Sequence, residues 1–75
     1  MSLEKLIQII SEIARVPQEE IGKDSMLFED LGLDSLDMYK IYVEVSGQLD
    51  AVYDKNSLLS AATVGALYER ILNLR

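Results

Sequence analysis

A single serine stands between acids in the run Asp34-Ser35-Leu36-Asp37, and its hydroxyl is the candidate for covalent chemistry. A serine nucleophile needs a neighbouring base, most often histidine. The chain has no histidine and no cysteine, so nothing in it can activate Ser35. A chemical role for Ser35 therefore requires a second enzyme that acts on it. The spacing places Ser35 in the first turn of a helix, where free backbone N–H groups and the positive end of the helix dipole favour an anion such as a phosphate. A long group attached there through a phosphodiester would start at this point and leave along the adjacent surface.

The helix that must present Ser35 is expected from Ser35 to about Leu49, capped by Asp34 or Ser35, with Asp37 in its first turn. On a wheel of ~100° per residue, Met38, Ile41, Tyr42, Val45 and Leu49 share one sector. Leu36, Tyr39 and Val43 share another. Asp37, Glu44 and Gln48 lie between the two, and Lys40 lies beside the second stripe. Either both stripes are buried between neighbouring helices, or the second is exposed for a partner. Gly47 marks either a close approach on that stripe or an early helix end.

Residues 15 to 34 lead into this helix. The apolar residues Val16, Ile21, Met26, Leu27, Phe28, Leu31 and Leu33 recur along them as expected core anchors, with turn freedom at Gly22 and Gly32 and a short helical turn near Gln18 to Ile21. A first helix is expected over residues 3 to 14, capped by Ser2 and stopped by Pro17. Its apolar stripe is Leu3, Ile7, Ile10 and Ala14, widened by Leu6 and Ile13. After a loop in which Val52 and Tyr53 touch the core, a short turn is expected at Ser57 to Ser60. A last helix follows from Thr63 to about Leu72, with Val64, Leu67, Tyr68, Ile71 and Leu72 facing inward. Thr63 caps it, and Arg70 and Arg75 suit its negative end. The expected fold class is all-α, a small four-helix bundle of three main helices and one short one, with a long loop between helices 1 and 2. A single domain is expected over 1–75.

Composition narrows the function further. Thirteen Asp and Glu oppose seven Lys and Arg, for a net charge of −6. That balance disfavours nucleic acid and anionic membranes and favours basic partner surfaces. No membrane span and no signal peptide are expected, and the cytoplasm is the expected compartment. Asp30, Asp34 and Asp37 lack the alternating ligands and central glycine of a calcium loop, so no metal site is expected.

The run Glu29-Asp30-Leu31-Gly32-Leu33-Asp34-Ser35-Leu36-Asp37 resembles the attachment motif of acyl carrier proteins. The resemblance extends over the whole chain, through the first helix, the Val16-Pro17 and Ile21 anchors and the Ala62-Thr63-Val64-Gly65 start of the last helix. The Leu-Gly-Leu-Asp-Ser-Leu form is similar to acyl carriers more than to peptidyl carriers, which typically read Leu-Gly-Gly-His-Ser. The resemblance implies that Ser35, flanked by Asp34 and Leu36, covalently bears 4′-phosphopantetheine, placed there from coenzyme A by a phosphopantetheinyl transferase. It implies a monomeric carrier with no enzymatic activity of its own, holding acyl groups as thioesters. It also implies docking of acyl-transferring and acyl-processing enzymes, through their basic patches, onto Leu36, Asp37, Tyr39, Lys40, Val43 and Glu44. Ile41, Tyr42, Val45, Leu58 and Leu67 are the candidates for lining a cargo pocket.

The chain departs from that pattern in places. Fatty-acid carriers usually have acids where this chain has Lys40, Ser46, Gly47 and Gln48, and small aliphatic residues where it has Tyr39 and Tyr42. These departures favour a specialised, polyketide-like or dedicated acyl or aminoacyl pathway over general fatty-acid synthesis; drift on a tolerant surface would produce them equally. The competing reading from another class is an unmodified acidic adaptor that binds partners through the second helix.

Overall fold

Ser2 opens the first helix as expected: the Lys5 backbone N–H donates to its Oγ at 3.1 Å, and helix α1 runs Leu3–Ala14. The computed structural model describes residues 1–49 and 55–73. Leu6, Ile9 and Ile10 are the buried residues of α1, while Leu3, Ile7, Ile13 and Ala14 are only half-buried. Of the expected stripe, Leu6 and Ile10 are thus buried while Leu3, Ile7, Ile13 and Ala14 border them, and Ile9 joins the inward face. The reason is that α1 packs against both later long helices, so its covered arc is wider than one stripe. Arg15 takes a left-handed φ of 60° and donates its N–H to the Ser11 carbonyl at 2.8 Å, which closes the helix before Pro17. Ser11 Oγ then donates to the Val16 carbonyl at 2.6 Å.

The connection to the second helix holds a 3-10 turn, Gln18–Glu20, and is pinned by Ile21, Leu27, Leu31 and Leu33, all buried. Val16 and Met26 are half-buried. Phe28 corrects the expectation, since it is 44% exposed. The Asp30 and Leu31 amides both donate to the Met26 carbonyl, and the Met26 amide donates to Asp30 Oδ2 at 2.8 Å. That tight turn aims Leu27 inward, so its immediate neighbour Phe28 points out. Gly32, with φ 68°, reverses the chain between the buried Leu31 and Leu33.

Helix α2 spans Ser35–Leu49, so Gly47 lies inside it and does not end it early. It packs against both α1 and α3. Helix α3 spans Lys55–Leu59, beginning earlier than the expected Ser57, and buries Leu58. Helix α4 spans Val64–Asn73 with Val64, Leu67 and Ile71 inward. Leu72 is 49% exposed, contrary to expectation, because one further residue rotates it ~100° beyond Ile71. Val52, Tyr53 and Arg75 lie outside the described residues.

The loop also builds the start of α4. Thr63 Oγ1 accepts from the Ala66 amide at 3.1 Å. The Val64 and Gly65 amides donate to the Ser25 and Lys23 carbonyls at 3.1 and 2.8 Å, and the Leu27 amide donates to the Ala62 carbonyl at 2.9 Å. An isolated antiparallel bridge pairs Met26 with Thr63. First-turn amides that no helix can satisfy internally are therefore met by the long connection. Arg70 donates from Nη1 to the Ser57 carbonyl at 2.6 Å and to Ser60 Oγ at 2.8 Å, so it ties α4 to the end of α3 rather than serving only its own helix terminus. Among the described residues, no helix is long and apolar enough to cross a membrane.

Candidate functional site

Two aspartates cap α2 reciprocally. The Asp37 amide donates to Asp34 Oδ1 at 2.8 Å, and the Asp34 amide donates to Asp37 Oδ2 at 3.3 Å. This has the logic of a capping box, with carboxylates at both ends. Of the two residues that could cap the helix, Asp34 is the one that does. Ser35 becomes the first helical residue, exposed, with its hydroxyl in no hydrogen bond to a described residue.

The consequence is chemical as well as structural. A capping serine would have its oxygen engaged by a backbone N–H. Here the aspartates take that duty and leave Ser35 Oγ open to an external reagent. The amides of Ser35 and Leu36 sit in the first turn, where an α-helix has no internal acceptor to offer, and both residues are exposed. A phosphodiester on Ser35 Oγ would lie at the positive end of α2 beside these donors. The two nearby carboxylates oppose a second anion. Each is already engaged by a backbone amide, and the site is open to water, which screens the repulsion. The exposed first turn fits a phosphate monoanion, which would remain in contact with solvent there.

Below Ser35, α2 divides its apolar residues between two faces. Met38, Ile41 and Val45 are each 1% exposed and belong to the core. Leu36, Tyr39 and Val43 are 63%, 46% and 49% exposed. A row of three large apolar side chains at i, i+3 and i+7 facing water is unusual for a chain this small. Leu36 stands one residue beyond Ser35, and Asp37, Lys40 and Glu44 border the row.

Lys55, at the start of α3, stands against this face, a contact that sequence reasoning missed. Its Nζ lies 5.6 Å from the centre of the Tyr39 ring, within cation–π range and worth about 0.5–1 kcal/mol at an exposed position. No local signal in the sequence joins residues on different helices; only the placement of α3 against α2 does. Tyr39 also meets Tyr42 with ring centres 6.2 Å apart.

Two shallow hollows flank the exposed row. One, about 290 Å³, is lined by Ile13, Tyr39, Lys40, Val43 and Glu44. The other, about 480 Å³, is lined by Val43, Glu44, Gly47 and Gln48. Of the expected pocket-lining residues, Ile41, Val45, Leu58 and Leu67 are buried in close packing and Tyr42 is half-buried. None of them lines either hollow. On the same helix, Ser46 Oγ is buried without a hydrogen-bond partner among the described residues. Asp30, Asp34 and Asp37 do not converge on a common point for a cation: Asp30 closes its own turn, and the other two cap α2.

Residues 4–71 match the family model described as a phosphopantetheine attachment site. The chain is 31% identical over 71 residues to an acyl carrier protein of Saccharopolyspora erythraea, covering 95% of this chain and 75% of the relative. It is 30% identical over 67 residues to acyl carrier proteins of Thermotoga maritima and of a Sulfurovum species, covering 89% of this chain and 83% and 89% of the respective relatives.

Proposed function

The chain belongs to the acyl carrier protein family, and we propose that Ser35 is the residue that bears its 4′-phosphopantetheine. As a member of that family the protein is a carrier and not an enzyme, and its prosthetic group is covalently attached. The observation that carries the assignment to Ser35 is the reciprocal Asp34–Asp37 cap, which leaves the adjacent serine hydroxyl exposed and unengaged at a helix N-terminus. When bound, the group supplies a terminal thiol that holds acyl groups as thioesters. The protein's own residues do the rest. Asp34 and Asp37 fix the first turn so that Ser35 Oγ meets a phosphopantetheinyl transferase in a defined position. The Ser35 and Leu36 amides, in the first turn of α2, would be the donors nearest to the phosphate.

Leu36, Asp37, Tyr39, Lys40, Val43 and Glu44 form the surface on which acyl-transferring and acyl-processing enzymes dock. The exposure of the apolar row and its charged border support that reading. Cargo shelters briefly between α2 and its neighbours, where Ile41, Tyr42, Val45, Leu58 and Leu67 give way. Only partial burial suits a group that must be handed on. The pathway is a specialised one, polyketide-like or a dedicated acyl or aminoacyl pathway. What supports this is the dilution of acids along α2 by Lys40, Ser46, Gly47 and Gln48 and the presence of Tyr39 and Tyr42. The carrier works as a cytoplasmic monomer.

Intact mass after incubation with coenzyme A and a broad-specificity transferase tests the assignment. The wild type should gain one phosphopantetheine, and Ser35→Ala should gain none. No gain in either, with both folded, would turn the reading toward an unmodified adaptor. The pathway is tested separately: normal rates with general fatty-acid synthesis enzymes would remove the specialised role.

A further inference from the structure

We propose that Tyr39, Lys40 and Lys55 form a cationic aromatic node on the docking face of α2, which selects partner enzymes that present a carboxylate at that point. The inference rests on the carrier reading above and specifies its partners. The chain is acidic, with only seven basic residues, yet one of them stands over an exposed tyrosine and a second lines the hollow beside it. Lys55 Nζ stands over the Tyr39 ring at 5.6 Å, and Lys40 shares with Tyr39 the hollow that Ile13, Val43 and Glu44 complete.

No described carboxylate forms an ion pair with either ammonium. Glu44 follows Lys40 by four residues, the less favourable order for a helical ion pair. Among the described residues, two ammonium groups stand against this one carboxylate, which makes the described rim net positive. The Ser35 end of the same face is negative through Asp34 and Asp37.

The sign therefore changes within one to two helical turns, roughly 6–8 Å along the axis. A uniformly basic docking patch meets attraction at Ser35 and repulsion at Tyr39. Like charges brought together across an interface are a common means of rejecting a wrong partner. The partner that fits has basic residues facing Asp34 and Asp37. Beyond them it places a carboxylate between the two lysines and an apolar side chain in the hollow beside Tyr39.

A charge swap tests this. The probe is a fatty-acid ketosynthase whose docking patch is wholly Lys and Arg, together with the same enzyme carrying one glutamate at the centre of that patch. Wild type, Lys40→Glu/Lys55→Glu and Lys40→Gln/Lys55→Gln are first loaded with phosphopantetheine, with mass as the check, and then titrated by fluorescence anisotropy. The double glutamate variant should bind the basic probe on the order of tenfold tighter than wild type, the glutamine variant falling between. The difference should shrink at high salt, and the order should reverse with the glutamate-bearing probe. Equal or undetectable binding of all three proteins to both probes would overturn the proposal while leaving the carrier reading in place. Failure of every form to load would overturn both.

Discussion

Asp34 and Ser35 are neighbours, but the structure gives them separate duties, and substitution should separate them. Asp34 accepts the Asp37 amide, and its own amide is held by Asp37. Asp34→Ala should therefore cost about 1 kcal/mol of stability, the usual loss for an N-cap. Ser35→Ala removes a hydroxyl that makes no hydrogen bond to a described residue, so the change should stay within about 0.5 kcal/mol. Urea titrations of the two variants would show it: a lower midpoint for the first and an unmoved one for the second. A large loss in Ser35→Ala would mean that the serine has a structural role after all. The asymmetry matters for function, because a loss of loading in a stably folded Ser35→Ala protein is then a statement about chemistry.

Among the elements, two glycines inside helices offer a contrast. Gly47 sits in α2 with no atom of the described residues within 4 Å of the position a Cβ would take. Gly65 sits in the first turn of α4, where that Cβ would stand 3.0 Å from the Lys23 carbonyl oxygen. The same oxygen accepts the Gly65 amide at 2.8 Å, so it cannot retreat without loss of that bond. Gly47→Ala should stabilise by about 0.5–1 kcal/mol through helix propensity. In Gly65→Ala an overpacking cost of about 1–3 kcal/mol outweighs the propensity gain, for a net loss of roughly 1 kcal/mol. Thermal melts should move in opposite directions, by about 4–8 °C per kcal/mol in a domain of this size. A rise in both would show that the approach of the loop to α4 is not a tight one.

For the molecule as a whole, the long connection is part of the core and not a tether. Leu27 is fully buried, and its amide bonds the Ala62 carbonyl just before α4. Leu27→Ala should cost about 2–5 kcal/mol, as for a leucine inside a helical core. Against a total of about 5–15 kcal/mol for small domains, that would leave much of the chain marginal. Denaturant unfolding of Leu27→Ala beside Leu6→Ala provides the comparison. A loss under about 1 kcal/mol for Leu27 alone would return the connection to the status of a surface loop.

Period and end signals determined much by themselves. The polar positions of α1, the Ser2 and Thr63 caps and the full span of α2 follow from local geometry, which neighbouring residues dictate. The Leu-Gly-Leu-Asp-Ser-Leu run identified the family and its candidate serine, because a local motif survives without knowledge of packing. Tertiary structure decided what local rules leave open. Asp34 rather than Ser35 caps α2, since either residue type can do so and only the folded turn selects one. Ile9 turns inward while Phe28 and Leu72 turn out, because burial depends on which neighbours cover a given arc. Arg70 reaches across to α3, and Lys55 comes to stand over Tyr39. Both contacts join separate helices, and a one-dimensional pattern carries no information about the angle at which two helices meet.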